Sequence, residues 1–191
     1  LPTIEQIEDV HNKGTLAAYA QENGLCAPPT IFPASIEELE RRADEIGLPA
    51  FVKLRESAAG VGIAKVDSRE ELISYFGSLV EDYALRPEDY PIVQQGVPGD
   101  DYCVTTLFDR GALIACMTYR NIRQFPADKG AGVVRETVKA EKMEQVCASL
   151  LGPKNWHGVA EIDFRWTGDV DTDPWLIEVN PRFWGGLTQA V

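Results

Sequence analysis

The spacing of apolar and polar positions predicts three helices and three short strands in the first half of the chain. The helical segments carry apolar residues three or four positions apart, and the strands are short apolar runs bounded by glycine or proline. Ser35, with Glu38 three positions later, is typical of a helix start. We therefore predict helices at 12–23, from Ser35 to Gly47 and from Ser68 onward, and extended segments at 30–32, 48–54 and 63–66.

The second half changes to the alternating pattern of an antiparallel sheet. We predict strands at 92–95, 102–108, 112–119, 159–165 and 175–179, and one further helix at 140–151. A long polar segment, 121–135, is expected to interrupt this sheet. Prolines just before the change of pattern indicate a boundary within 85–90, so we predict two lobes, 1–90 and 91–191.

Composition narrows the classes of function. The 191 residues are 45% hydrophobic and carry a formal net charge of −12, which argues against a general nucleic-acid or anionic-membrane surface. A phosphate ligand would therefore need a local basic cluster. Four widely spaced cysteines and only two histidines favour reduced thiols over a zinc site, as expected of a cytoplasmic protein. No apolar run reaches the roughly 20 residues of a membrane span.

A glycine-containing hairpin is a candidate phosphate contact. The chain lacks GxxxxGK[ST], and Gly60-Val-Gly62 lacks the third glycine of a dinucleotide fingerprint. The small residues from Ser57 to Gly62 would let backbone N–H groups approach phosphate oxygens, and Lys53 precedes this loop on a predicted strand. A tight turn and a lysine that protects a sheet edge are the alternative interpretations.

The last two predicted strands carry a candidate metal site. Glu178 and Asn180 lie two positions apart and share a face, where Asp163 of the neighbouring strand can meet them. Oxygen ligands select Mg²⁺, Mn²⁺ or Ca²⁺ over zinc, and Arg182 offers a planar fork for phosphate. Solvated acids on a sheet edge are the alternative.

Other charged segments are less specific. The acidic turn 169–173 lacks the glycine and the final glutamate of an EF-hand, and no activated serine or cysteine nucleophile is evident. The polar segment contains three basic residues that could hold a substrate carboxylate or acyl phosphate, or could simply lie in an exposed loop: Arg120, Arg123 and Lys129.

With these residues the chain resembles the ATP-grasp superfamily, in particular its carbamoyl-phosphate-synthase-like and biotin-carboxylase-like branch, over essentially its whole length. The run from Glu161 to Gly186 is the most specific part. The resemblance implies an α+β (α/β) fold in which two α/β lobes with antiparallel sheets grip ATP. It also implies that Asp163, Glu178 and Asn180 bind Mg²⁺ or Mn²⁺ and that Arg182 contacts the terminal phosphates.

The resemblance also assigns the nucleotide contacts. Lys13 and Lys53 would face ATP, and Ser57, Gly60 and Gly62 would belong to the phosphate flap. In the segment between the lobes, Gln94 would meet the exocyclic amine, Gln95 and Val97 would give backbone contacts, and Asp101 would reach the ribose. The family commonly has glutamate at the positions of Gln94 and Asp101 and a bulky residue at the position of Gly96.

The function that the resemblance implies is an ATP- and Mg²⁺-dependent ligase. A carboxylate would attack the γ-phosphate to give an acyl phosphate, which an amine or another nucleophile would displace, with Lys53, Asn180 and Arg182 as the catalytic residues. Its partners would be small molecules. A phosphotransferase, a non-catalytic nucleotide-binding module and a sheet protein with surface acids remain the alternatives.

The ends of the chain suggest a segment of a longer protein. The chain starts without Met, its first nine residues are too acidic for a signal peptide, and it stops at Gly-Gly-Leu-Thr-Gln-Ala-Val. Family members usually carry a domain before this region. We therefore expect further domains or a homo-oligomer, and an isolated chain that binds ATP but turns over poorly.

Overall fold

The computed structural model describes residues 1–57, 60–125 and 131–189, which form five helices and two antiparallel sheets. The helices are α1 (Ile4–His11), α2 (Lys13–Glu22), α3 (Ile36–Arg42), α4 (Arg69–Asp82) and α5 (Glu141–Leu151). The strands are β1 (Thr30–Ile31), β2 (Ala50–Lys53), β3 (Ile63–Val66), β4 (Ile92–Gln95), β5 (Asp100–Asp109), β6 (Ala112–Phe125), β7 (Ala131–Val138), β8 (Gly158–Trp166) and β9 (Trp175–Asn180).

Side-chain caps explain where most helices begin. Ser35 and Ser68 accept hydrogen bonds from the backbone N–H groups at the third position of α3 and α4, as predicted. Thr3 caps α1 in the same way, but the pattern missed this helix because Val10 is its only buried residue. Within the described part of the chain, no helix is long and apolar enough to cross a membrane.

The first sheet has the strand order β1-β4-β2-β3. Strand β4 pairs antiparallel with β1 on one side and with β2 on the other. The expectation that 92–95 joins the later strands is therefore wrong. Helix α4 packs on this sheet, and the chain then returns as β4 between β1 and β2. Val93 of β4 is buried opposite Val52 of β2.

The second sheet has the order β7-β6-β5-β8-β9. The predicted interruption at 121–135 is wrong, because β6 continues to Phe125 and β7 begins at Ala131. The β6–β7 pair has irregular register near Asn121 and Arg123 and exposes much of its surface. Bulges, and exposure on both faces of the sheet, remove the regular alternation of apolar and polar residues from which a strand is recognised.

Two hydrophobic cores lie beneath the two sheets. One joins α3 and α4 to the first sheet through residues such as Phe76 and Val93. The other joins α5 and the second sheet, and it includes Val10, Leu16 and Ala20 of the first two helices. The N-terminal helices thus pack on the later sheet, so this core does not follow a boundary near residue 90. The division into lobes 1–90 and 91–191 stays a prediction.

Alternation along β8 gives the second sheet one apolar and one polar face. Ala160, Ile162 and Phe164 enter the core. The residues between them, Glu161 and Asp163, therefore lie on the opposite face, which we call the polar face. Cys103 of β5 is opposite Asp163, and Glu178 of β9 is its partner on the other side.

A close backbone approach requires glycine at position 96. The Gly96 N–H donates to the Pro49 carbonyl at 2.8 Å, and a Cβ at this position would lie 2.6 Å from the same oxygen. A side chain cannot enter without moving the backbone. The structure therefore explains locally why a bulky residue is absent here.

We expect Gly96→Ala to lower the free energy of unfolding by about 1–3 kcal/mol, the usual cost of overpacking. Gly185→Ala is the matched control, because a Cβ there meets nothing within 4 Å. Urea denaturation of the two variants and the wild type measures the difference. Equal stability of the two variants would contradict the steric explanation.

Candidate functional site

Three oxygen-bearing side chains meet on the polar face. Asp163 and Glu178 are direct partners in the β8–β9 register, and Glu161 is opposite Asn180. The Asn180 amide N–H₂ donates to Asp163 Oδ2 at 3.1 Å and to Glu178 Oε1 at 3.3 Å. The structure therefore brings together the three residues that the sequence predicts as metal ligands.

Burial and neighbouring charges shift the pKa values of Asp163 and Glu178 in opposite directions. Burial, followed by the charges of Glu178 and Glu161, raises the pKa of Asp163 well above its usual range. Burial alone would also raise the pKa of Glu178, but Lys13 and the hydrogen bond with Asp163 bring that pKa below its ordinary value. The pKa values of these two neighbouring carboxyl groups are therefore shifted in opposite directions, because Lys13 pairs with Glu178 and burial dominates at Asp163.

The group fits a hard divalent cation. Asp163 Oδ1 is buried and has no hydrogen-bond partner among the residues that the structure describes. A second candidate group, Cys103, Glu161 and Asp163, has its ligand atoms within 4.8 Å of one another. Burial raises the pKa of the Cys103 thiol well above its usual range, which makes it a poor ligand. The oxygen set is therefore the better candidate for Mg²⁺ or Mn²⁺.

Two buried lysines flank the acids. Lys13 Nζ lies 3.4 Å from Glu178 Oε2 and donates to the Ser57 carbonyl at 3.1 Å. Lys53 Nζ donates to Gln94 Oε1 at 2.7 Å. Both lysines are less than a tenth exposed, although they come from different parts of the sequence. Two cations of an acidic chain thus act on the same carboxylate, Glu178.

The hairpin after Lys53 is described only in part. Ser57 Oγ is buried and without a hydrogen-bond partner in the described residues, while Gly60 and Gly62 have φ values of 74° and 65°. These are left-handed backbone conformations that favour glycine. Residues 58 and 59 of the predicted flap lie outside the described residues. The phosphate contact of the flap stays a prediction.

The segment that follows β4 presents a backbone acceptor. The Gln95 N–H donates to the Pro29 carbonyl at 2.9 Å. Pro29 has no N–H, so it cannot return the second bond of a normal antiparallel pair to the Gln95 carbonyl. Val97 is half-buried two positions later. This geometry suits the backbone contacts predicted for Gln95 and Val97, which stay predictions.

Asp101 is held by protein partners. Its Oδ1 accepts from Arg165 Nη1 at 2.9 Å, and its Oδ2 accepts from Gln124 Nε2 at 2.6 Å. All three residues line a cleft of about 470 Å³ together with Arg123. A ribose contact of Asp101 would have to share or displace these partners, and it stays a prediction.

Arg182 lies at the end of the metal group. Its Nη2 donates to Asn180 Oδ1 at 3.3 Å, and its Nη1 is 4.0 Å from Glu161 Oε2. The side chain is 58% exposed, so most of the guanidinium remains accessible to a ligand. This position suits the predicted contact with terminal phosphates.

The structure describes two of the three predicted substrate residues, and these two lie in different surroundings. Arg120 is the register partner of Tyr102, which belongs to the apolar core, so it emerges on the face away from the acids. It donates to Glu136 Oε2 at 2.8 Å and lies 3.5 Å from Asp100. Arg123 lines the cleft beside Asp101. Lys129 lies outside the described residues.

Sequence reasoning missed three residues of the polar face. Tyr119 donates its hydroxyl to Glu161 Oε1 at 2.5 Å, and both side chains are buried. Arg135 of β7 lies over the Tyr119 ring, 5.4 Å from its centroid. Strand alternation from Asp163 would have found Glu161. Arg135 falls at the end of the segment predicted as irregular, where no face could be assigned, and Tyr119 is the last residue of the predicted strand before it.

A family comparison agrees with this geometry. A model of the ATP-grasp domain family matches residues 10–186. The chain therefore belongs to the ATP-grasp family, and the predicted fold with two antiparallel sheets is confirmed.

Two curated relatives share less than a third of their aligned residues with this chain. An uncharacterized protein of Sinorhizobium fredii (strain NBRC 101917 / NGR234), y4rH, is 29% identical over 192 residues, which cover 96% of this chain and 38% of that protein. The D-alanine–D-alanine ligase of Ectopseudomonas mendocina is 27% identical over 171 residues, 82% of this chain and 50% of the ligase. The chain thus spans half or less of the length of these two relatives.

Solved structures show the same fold. Phosphoribosylamine–glycine ligase of Thermotoga maritima superposes with a TM-score of 0.80 and 18% sequence identity, covering 98% of this chain and 51% of that one. At this identity the likeness concerns the fold alone.

Lys53 should leave a measurable pH signature. Burial is the main cause that lowers the Lys53 pKa to about 8 from 10.5. Between these values the unfolded chain binds the proton more tightly than the folded protein, so stability should rise with pH. Relative to Lys53→Met, we expect wild type to gain roughly 2–3 kcal/mol between pH 7 and pH 10.

Chemical denaturation across this pH range measures the difference, and Lys65→Met is the control, because Lys65 is an exposed lysine on the neighbouring strand. A stability difference between wild type and Lys53→Met that does not change with pH would contradict the lowered pKa.

Proposed function

We propose that this chain is the nucleotide-binding part of an ATP- and Mg²⁺- or Mn²⁺-dependent ligase that joins a small-molecule carboxylate to an amine through an acyl phosphate. The observation that carries the proposal is the polar face. It combines an all-oxygen ligand set with one buried lysine and an accessible arginine in direct contact, and the charge of a second buried lysine, Lys53, acts on Glu178. The similarity to a D-alanine–D-alanine ligase supports the same reaction class.

The proposed roles follow from charge and position. Asp163, Glu178 and Asn180 would hold the cation, which would neutralise phosphate charge and orient the oxygens for displacement. Lys13 is already paired with Glu178 and would stay close to the phosphates of the bound nucleotide. Lys53 would turn from Gln94 toward the phosphate chain, where an anion restores the charge that burial disfavours.

Arg182 would stabilise the transferred phosphoryl group. Its guanidinium is largely exposed, yet Asn180 and Glu161 hold it at the edge of the ligand set. A planar fork in this position suits two oxygens of one phosphoryl group. No residue of this group serves as a covalent nucleophile in the proposed reaction, so catalysis would rest on positioning and electrostatic stabilisation.

The carboxylate substrate would approach from the β6–β7 side. There Tyr119 and Arg135 continue the polar face beyond Glu161. Arg135 Nε is buried without a partner among the described residues, and a carboxylate oxygen would satisfy it. We assign Arg135, in place of Arg120, to the substrate side of the proposed site.

Thermal unfolding with and without Mg²⁺-ATP tests the nucleotide site. Saturation at 100 times Kd should stabilise the wild type by about 2.7 kcal/mol. We expect Glu178→Gln to abolish the part of this shift that depends on metal, because the variant loses a charged oxygen ligand. Asp171→Asn removes an equal charge from the exposed acidic turn and is the matched control.

The outcomes separate the possible functions. A metal-dependent shift that survives Asp171→Asn but not Glu178→Gln supports the site. ADP release that requires both a carboxylate and an amine would then identify a ligase. ATP turnover with phosphate transferred to a stable acceptor would instead indicate a phosphotransferase. A well-folded wild type without any nucleotide-dependent shift would refute the proposal.

A further inference from the structure

A relay of hydrogen bonds fixes the amide of Gln94. Lys53 Nζ donates to Gln94 Oε1 at 2.7 Å, and Gln94 Nε2 donates to Thr30 Oγ1 at 3.1 Å. The Thr30 hydroxyl in turn donates to the Pro28 carbonyl at 2.8 Å. Gln94 and Thr30 are register partners in β4 and β1 and are almost fully buried.

Chemistry at both ends of the relay allows only one orientation of this amide. A lysine ammonium can only donate, so the atom that faces Lys53 must be the amide oxygen. The Thr30 hydroxyl uses its single hydrogen on Pro28 and can only accept from Gln94. The two ends therefore agree, and Gln94 presents an acceptor toward Lys53 and the polar face.

A second acceptor comes from the same segment. Pro29 accepts from the Gln95 N–H but returns no bond to the Gln95 carbonyl. Residues 28–30 thus contribute in two ways: proline leaves a backbone oxygen without its usual partner, and threonine orients a side-chain oxygen. Two neighbouring acceptors match the two hydrogens of an exocyclic amine.

We propose that Thr30 is a positioning residue that sets the selectivity of the site for a 6-amino purine over a 6-oxo purine. The inference rests on the proposed function, because it needs a purine nucleotide beside Gln94. An amino group at position 6 donates to the fixed Gln94 oxygen. An oxo group presents an acceptor to an acceptor, and the buried amide is left unpaired.

Thr30 becomes most important once the nucleotide is bound. In the free protein Lys53 and Thr30 both hold the Gln94 amide. When Lys53 turns to the phosphates, Thr30 is the remaining group of this relay that opposes rotation of the amide. Without the Thr30 oxygen, the amide can turn its N–H₂ toward an oxo group.

The test compares the affinities of ADP and inosine 5′-diphosphate, with Mg²⁺, for wild type and Thr30→Val by calorimetry. Valine keeps the shape of threonine but removes the acceptor. We expect the preference for ADP to fall by roughly threefold to tenfold, the range of one net hydrogen bond. Contacts at purine N1 also separate the two nucleotides, but they are the same in both proteins and cancel in the ratio.

Two further variants separate orientation from simple structural damage. Thr30→Ser keeps the hydroxyl and should restore the wild-type ratio. In a Gln94→Glu background both side-chain oxygens accept, so no orientation can be lost. There Thr30→Val should leave the ratio unchanged, even if both affinities fall.

The outcomes distinguish this inference from the proposed function. A lower ADP preference in Thr30→Val that Thr30→Ser restores supports the inference. Equal weakening of both nucleotides, or the same loss of preference in the Gln94→Glu background, overturns it and leaves the nucleotide site intact. If neither diphosphate binds wild type, the proposed function fails together with the inference.

Discussion

The contacts of Lys13 depend on the need to pair buried positive charges with buried negative charges at the polar face. The chain is acidic overall, yet it buries two lysines beside Asp163, Glu178 and Glu161. Buried charges persist only when they are paired. Lys13 meets this need for Glu178, and its bond to the Ser57 carbonyl joins the start of α2 to the glycine hairpin of the other sheet. One ammonium thereby ties together the acids of the second sheet, the N-terminal helices and the loop after β2.

The same pairing of charges leaves the site able to accept both a further cation and a further anion. Pairing with Lys13 lowers the pKa of Glu178, whereas Asp163 keeps a raised pKa and an oxygen without a partner among the described residues. On the other side, burial disfavours the charge of Lys53, whose bond to Gln94 is to a neutral amide. A divalent cation would supply the positive charge that Asp163 lacks, and a phosphate would supply the negative charge that Lys53 lacks. These two needs are complementary, so a metal-bound polyphosphate would satisfy both better than either ion alone.

Local rules predicted the parts of this fold that short-range patterns determine. The caps at Ser35 and Ser68, the strand Ile63–Val66 and the shared face of Glu178 and Asn180 follow from spacing within a few residues. The sheet to which β4 belongs depends on where α4 returns the chain, and the packing of α1 and α2 depends on the later sheet. These are long-range outcomes that no local pattern contains. The side of the sheet on which Arg120 lies is a further example, because its face could be assigned only once β6 was known to be continuous.

The residues that depart from the family pattern fit their own surroundings. Gly96 is required by the Pro49 carbonyl, and the shorter Asp101 is matched by Arg165 and Gln124. Gln94 differs from a glutamate in one essential respect: its two ends are not equivalent, so an acceptor is presented only if a neighbour fixes the amide. A carboxylate needs no such neighbour. In the proposed site, glutamine at position 94 would therefore shift part of the recognition to Thr30, more than sixty positions away in sequence, and only the pairing of β1 with β4 makes that dependence visible.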